Sequence, residues 1–105
     1  MQLPCDACIW GIIPMIKREL VLRLVKEHGM KQVDASAKLG MTKGSVTQYL
    51  QGKRASNSNR LNKVKDIKSA IDSLAKDIAK KSVDEKEIVK RFCIICRIAQ
   101  KKIKP

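Results

Sequence analysis

Two groups of residues in this sequence have types and spacings that could do chemistry. The first is the cysteines. All four fall in two CxxC pairs, Cys5/Cys8 and Cys93/Cys96, and none is left over. Two-residue spacing lets both sulfurs of a pair reach one centre, and paired CxxC motifs read as a four-thiolate site. Eighty-four residues lie between Cys8 and Cys93, far more than the roughly 15–20 of a zinc ribbon. Closing so long a loop costs little more than closing a short one. A shared site would pin the N-terminal arm to the C-terminal helix. Three occupants stay open: an iron–sulfur cluster such as [4Fe–4S], Zn²⁺, or no metal with disulfides instead. Ile9, Trp10, Ile94 and Ile95 supply an apolar shell, and Lys90, Arg91 and Arg97 supply positive charge to offset thiolates.

The second group lies at residues 42–48. Short polar side chains on the first turn of a helix can enter a major groove. Lys43, Gly44, Ser45 and Gln48 sit at one end and one face of the expected helix, opposite Val46 and Leu50. Gln pairs with adenine N6/N7 and Lys with guanine O6/N7. Gly44 costs the helix up to about 1 kcal/mol relative to Ala, and its missing side chain permits close approach to DNA.

The elements that must position these groups read as helices. The spacing predicts helix 1 from Pro14, with a core stripe of Ile13, Ile16, Leu20 and Leu24, ending at Gly29. His28 at that end suits the helix dipole and is given no catalytic role. A short helix is expected over Lys31–Leu39, broken by Gly40. Thr42 is the expected N-cap of a helix over Lys43–Leu50, which Gly52 ends. Two short helices joined by a glycine turn are the sequence form of a helix-turn-helix.

Residues 53–60 read as a polar, basic linker. Beyond it Val64, Ile67, Ile71, Leu74 and Ile78 step by three and four. Such a stripe fits either a helix packed on the chain's own core or a short dimer seam. Ser82-Val83-Asp84-Glu85 is a capping-box pattern that should start a last helix.

Gln32, Gly40, Thr42, Val46, Tyr49 and Gly52-Lys53-Arg54 resemble the XRE family of lambda-repressor-like and Cro-like DNA-binding domains, over about residues 30–54. Ser36 stands where the family carries Ala, Ala35 where it carries a larger apolar residue, and Thr47 where it carries Ser. The resemblance implies that Gln32, Thr42, Thr47, Lys53 and Arg54 hold phosphates while Lys43, Gly44, Ser45 and Gln48 read bases. The wider arrangement, PC-x-x-C-x-W near the start and a CxxC near the end, resembles a group of archaeal regulators with paired terminal cysteine motifs. That implies a cluster- or metal-binding regulator.

Composition agrees. Lys and Arg number 23 against 10 Asp and Glu, a formal net charge of +13. So large an excess favours a polyanionic partner. Only Trp10, Tyr49 and Phe92 are aromatic, too few for an all-β sandwich. No apolar run reaches the roughly 20 residues of a membrane helix. MQLPCDAC has no basic n-region or long apolar stretch and reads as no secretory signal, so a cytoplasmic protein is expected. No P-loop, dinucleotide glycine pattern or Ser/His/Asp set is present, so neither an enzyme nor a small-molecule substrate is expected.

The sequence therefore predicts an all-α regulator. It has an arm (1–12), a lambda-repressor-like helix-turn-helix core (13–55) and a helical dimerisation and Cys-ligand region (56–105). It would bind double-stranded DNA as a homodimer. The alternatives are a structural-zinc or disulfide-stapled DNA-binding protein, and a CxxC thiol–disulfide protein.

Overall fold

The structure is a computed structural model that describes residues 12–53 and 57–102. Five α-helices follow one another: α1 (Ile12–Leu22), α2 (Gln32–Leu39), α3 (Lys43–Leu50), α4 (Lys65–Ala79) and α5 (Glu85–Lys102). A wider π turn, Arg23–Glu27, prolongs α1, and a 3₁₀ segment, Ser58–Lys63, precedes α4. The described residues contain no strand, as an all-α reading requires. None of their helices is long and apolar enough to cross a membrane.

α1 is the shared wall of the molecule. It packs on α3, on the 3₁₀ segment, on α4 and on α5. Ile16, Leu20 and Leu24 are fully buried as the stripe requires, but Ile13 is only half-buried, and Ile12, Met15 and Val21 complete the inward face. The helix begins at Ile12 rather than Pro14. Proline is tolerated in a first turn because the first four N–H groups have no partner within the helix. The turn past His28 closes by a bond from the His28 N–H to the Arg23 carbonyl (3.0 Å).

α3 has the expected bounds, and α2 begins at Gln32, one residue later than expected, with Lys31 as its N-cap. Gly40 adopts φ 63° after α2, the left-handed conformation that glycine takes without steric cost. Thr42 caps α3, its Oγ1 accepting from the Ser45 N–H at 3.1 Å. α3 ends in a Schellman motif: the Lys53 N–H donates to the Gln48 carbonyl (3.0 Å) and the Gly52 N–H to that of Tyr49 (3.2 Å). Ala35 is fully buried, and the buried Ser36 hydroxyl donates to the Val33 carbonyl at 2.7 Å.

The second half departs from the sequence reading in three places. The expected linker is partly built into the core: Ser58 is fully buried, with Leu61 just beyond it, because Ser58 serves a buried ion pair described below. The stripe of Ile67, Ile71, Leu74 and Ile78 is buried within the chain, where α4 packs on α1 and α5, so it is core and not a seam. The cap of α5 is Asp84 rather than Ser82. Asp84 Oδ1 accepts from the Glu87 N–H at 2.9 Å, while the Ser82 hydroxyl turns back to the Asp77 carbonyl at the end of α4. Residues from all five helices form one apolar cluster, with Phe92 its largest fully buried member.

Candidate nucleic-acid interface and cysteine motif

α3 divides cleanly into an inner and an outer face. Val46 is fully buried and Tyr49 nearly so, while Leu50 packs half-buried against the core. Residues advance by about 100° around a helix, which puts Gly44, Thr47, Gln48 and Gln51 on the opposite side. Gly44 and Gln51 are exposed there, with Thr47 and Gln48 half-exposed and Lys43 exposed at the N-terminal end. Gln51 was missed by sequence reasoning. Its i+3 spacing from Gln48 would have found it.

Ser45 lies on the flank, half-buried, and its hydroxyl accepts from that of Thr42 at 3.0 Å. It therefore belongs as much to the helix cap as to the outer face. A methyl group at Gly44 would meet only Thr42 Oγ1, at 3.9 Å. The protein itself leaves room for alanine there.

The structure brings Gln32 and Thr47 together. The Thr47 hydroxyl lies between two acceptors, Gln32 Oε1 at 3.0 Å and the Lys43 carbonyl at 3.1 Å. With its oxygen held this way, the Gln32 amide nitrogen is the group left to meet an anion. Lys53 is exposed just beyond the Schellman turn. Arg54 lies outside the described residues.

The mounting of α3 rests on a buried polar network that no local pattern announces. Arg18 Nε donates to the Tyr49 carbonyl at 3.0 Å, gripping the C-terminal end of α3. Its Nη1 donates to the Ser58 hydroxyl (2.8 Å), which in turn donates to Glu19 Oε2 (2.6 Å). Glu19 Oε1 accepts from Arg23 Nη1 at 2.7 Å and from Asn62 Nδ2 at 2.9 Å. Arg23 also donates to Asn62 Oδ1 (2.7 Å) and, through Nε, to Asp72 of α4.

Glu19 and Arg23 are 3% and 5% exposed, so each would be very costly if left alone. Burial by itself pushes the Glu19 carboxyl up. The hydrogen bonds from Ser58, Arg23 and Asn62 and the Arg23 charge outweigh it and hold the group below its ordinary value. Burial likewise acts to lower the Arg23 guanidinium, and Asp72 and Glu19 together raise it. No buried side-chain polar atom among the described residues lacks a partner.

Cys93 and Cys96 lie in the middle of α5, half-buried and fully buried respectively. One turn of helix sets them about 60° apart on one flank. That suits two thiolates directed at one centre, so half of the donor set fits a cluster or zinc. Cys5 and Cys8 lie outside the described residues, among which no three His, Cys, Asp or Glu side chains gather. Neither described cysteine is in the first turn of α5, where a helix favours a thiolate.

Part of the expected surroundings is corrected. Ile95 is core, but Ile94 is 47% exposed on another side of the helix. Arg91 turns to α4, where it pairs with Asp77 and reaches the Ser73 hydroxyl. Helical rotation carries both away from the sulfurs. Lys90 and Arg97 are exposed.

No protein-family model, curated protein or solved structure matches the chain.

Proposed function

We propose that this protein is a sequence-specific regulator of transcription that lays α3 in the major groove of double-stranded DNA. The observation that carries this reading is the outer face of α3. It presents Lys43, Gly44, Thr47, Gln48 and Gln51 on a capped helix whose far end is fixed by Arg18, in a chain of net charge +13. Gln48 and Lys43 read base edges, with Ser45 beside them. Gln32, Thr42, Thr47 and Lys53 hold phosphates, and Arg54 joins them from the sequence resemblance. Two copies reading half-sites one helical turn apart give operator specificity.

In the same reading Cys5, Cys8, Cys93 and Cys96 hold a four-thiolate centre, an iron–sulfur cluster or zinc. A cluster when bound supplies an occupancy or oxidation state that the cell can change, and zinc supplies a fixed cross-link. Because Cys96 is in the core and its helix packs on α1, a change there would reach the wall on which α3 is mounted.

The test is titration of genomic promoter fragments and random duplex at one salt concentration. A fragment preferred by about 10³-fold or more is the expected result, and equal affinity for every duplex overturns it. Anaerobic purification with iron, sulfide and zinc analysis tests the centre. Metal that disappears in Cys93→Ser and Cys96→Ser supports it, and metal-free protein does not.

A further inference from the structure

The charge on the two C-terminal helices is distributed unequally. On α4 the lysines at 65, 68 and 76 alternate with Asp66, Asp72 and Asp77. α5 carries six cations, Lys86, Lys90, Arg91, Arg97, Lys101 and Lys102, against two carboxylates, Glu85 and Glu87, both in its first turn. Among the described residues Arg91 alone of these is ion-paired. Lys86, Lys90, Arg97 and Lys101 are all exposed, and their spacing puts them in one row on the outer side of α5. Ile94, 47% exposed, sits in the middle of that row. From Lys86 to Lys101 the row is about 22 Å long, at 1.5 Å per residue.

We infer that this row is a second DNA-binding surface, which holds the sugar–phosphate backbone of duplex DNA without reading its sequence. The inference rests on the proposed function only for the identity of the polyanion. A single-sign row of this length repels its own copy across a two-fold axis, which disfavours a second chain as occupant despite the exposed Ile94. Its members match the regular negative charge of a phosphate backbone. Ile94 meets the apolar edge of the sugars. The row is on a different helix from the base-reading face, so the protein engages more duplex than α3 alone covers.

The experiment compares the full chain with the fourfold variant Lys86→Gln, Lys90→Gln, Arg97→Gln and Lys101→Gln, and with a Lys86→Arg/Lys90→Arg/Lys101→Arg control. Duplex affinity is measured from 50 to 300 mM salt. The fourfold variant should show a log K against log salt slope shallower by about 3 to 4 per chain, at about one per cation lost. It should bind specific and random duplex more weakly by the same factor, with an unchanged thermal melt. The Arg control should keep the parent slope.

An unchanged slope in the fourfold variant overturns the inference, most directly if only the parent chain sediments with vesicles of phosphatidylserine and phosphatidylcholine. The two readings fail separately. If Gln48→Ala lowers the preference for a specific fragment while the fourfold variant leaves the slope alone, the regulator reading stands and the row does not. If no fragment is preferred but the slope falls, the row stands and the regulator reading does not.

Discussion

The outer faces of α3 and α5 are both solvent-facing sides of helices that pack on α1, yet they offer different chemistry. α3 offers short or amide side chains around a glycine, with one lysine at its edge. Those groups have directional donors and acceptors, and a base edge can be told from its neighbour by them. α5 offers long flexible cations, which recognise charge and not pattern. Phosphate contacts position a protein and base contacts specify the site. The basic charge of this chain is therefore not spread as a coating. Where α4 faces solvent it is balanced by aspartates, and it is left unbalanced on α5.

Four changes break or sharpen this contrast. The largest effect should come from Glu19→Ala, which removes the centre of the network tying α3, the 3₁₀ segment and α4 to α1. Breaking a buried pair costs about 3–5 kcal/mol, and urea unfolding should show that loss. Binding by both proposed faces should then fall together as the fold is lost.

The same carboxylate predicts a pH dependence. Its folded pKa lies below the unfolded value of 4.5, so its stabilisation is complete above the unfolded value and disappears as pH falls through the folded one. Denaturation followed from pH 6 downward should show the loss, and Glu19→Gln should lack that component.

Next, Gln48→Ala should weaken specific binding by about 1–3 kcal/mol while leaving random-duplex affinity and the salt slope as they were. Thr42→Ala should cost about 1 kcal/mol of stability through the lost cap, measurable by thermal denaturation. The smallest and most telling change is Gly44→Ala. The protein has space for the methyl group, so stability should rise by up to about 1 kcal/mol. Specific DNA affinity should fall nonetheless if the backbone there approaches the duplex closely.

The two short helices α2 and α3 were legible because their signals are local. Thr42, Gly40 and Gly52 each act on backbone groups within a few residues, and the helix bounds followed from them. The second half was less legible for a physical reason. A stripe such as Ile67–Ile71–Leu74–Ile78 states that a helix face is buried and does not say against what. Ser58 read as linker because its role depends on Glu19 and Arg18, some forty positions away in the chain. At the start of α5 two cap residues stand two positions apart, and only the path of the chain out of α4 decides that Asp84 takes the helix while Ser82 closes the turn. On the interface, the pairing of Gln32 with Thr47 needed the angle between two helices, which no periodicity encodes.

α1 as a common wall has a practical consequence. A fragment ending soon after Lys53 would keep every residue proposed to touch bases and would still be a poor reader of DNA. It would bare the flank of α1 that α4 and α5 cover, and leave Glu19 and Arg23 without Ser58, Asn62 and Asp72. Chimeras that borrow α2 and α3 for another protein should carry the chain through the end of α5, or replace the stranded ion pair with apolar residues of matching size.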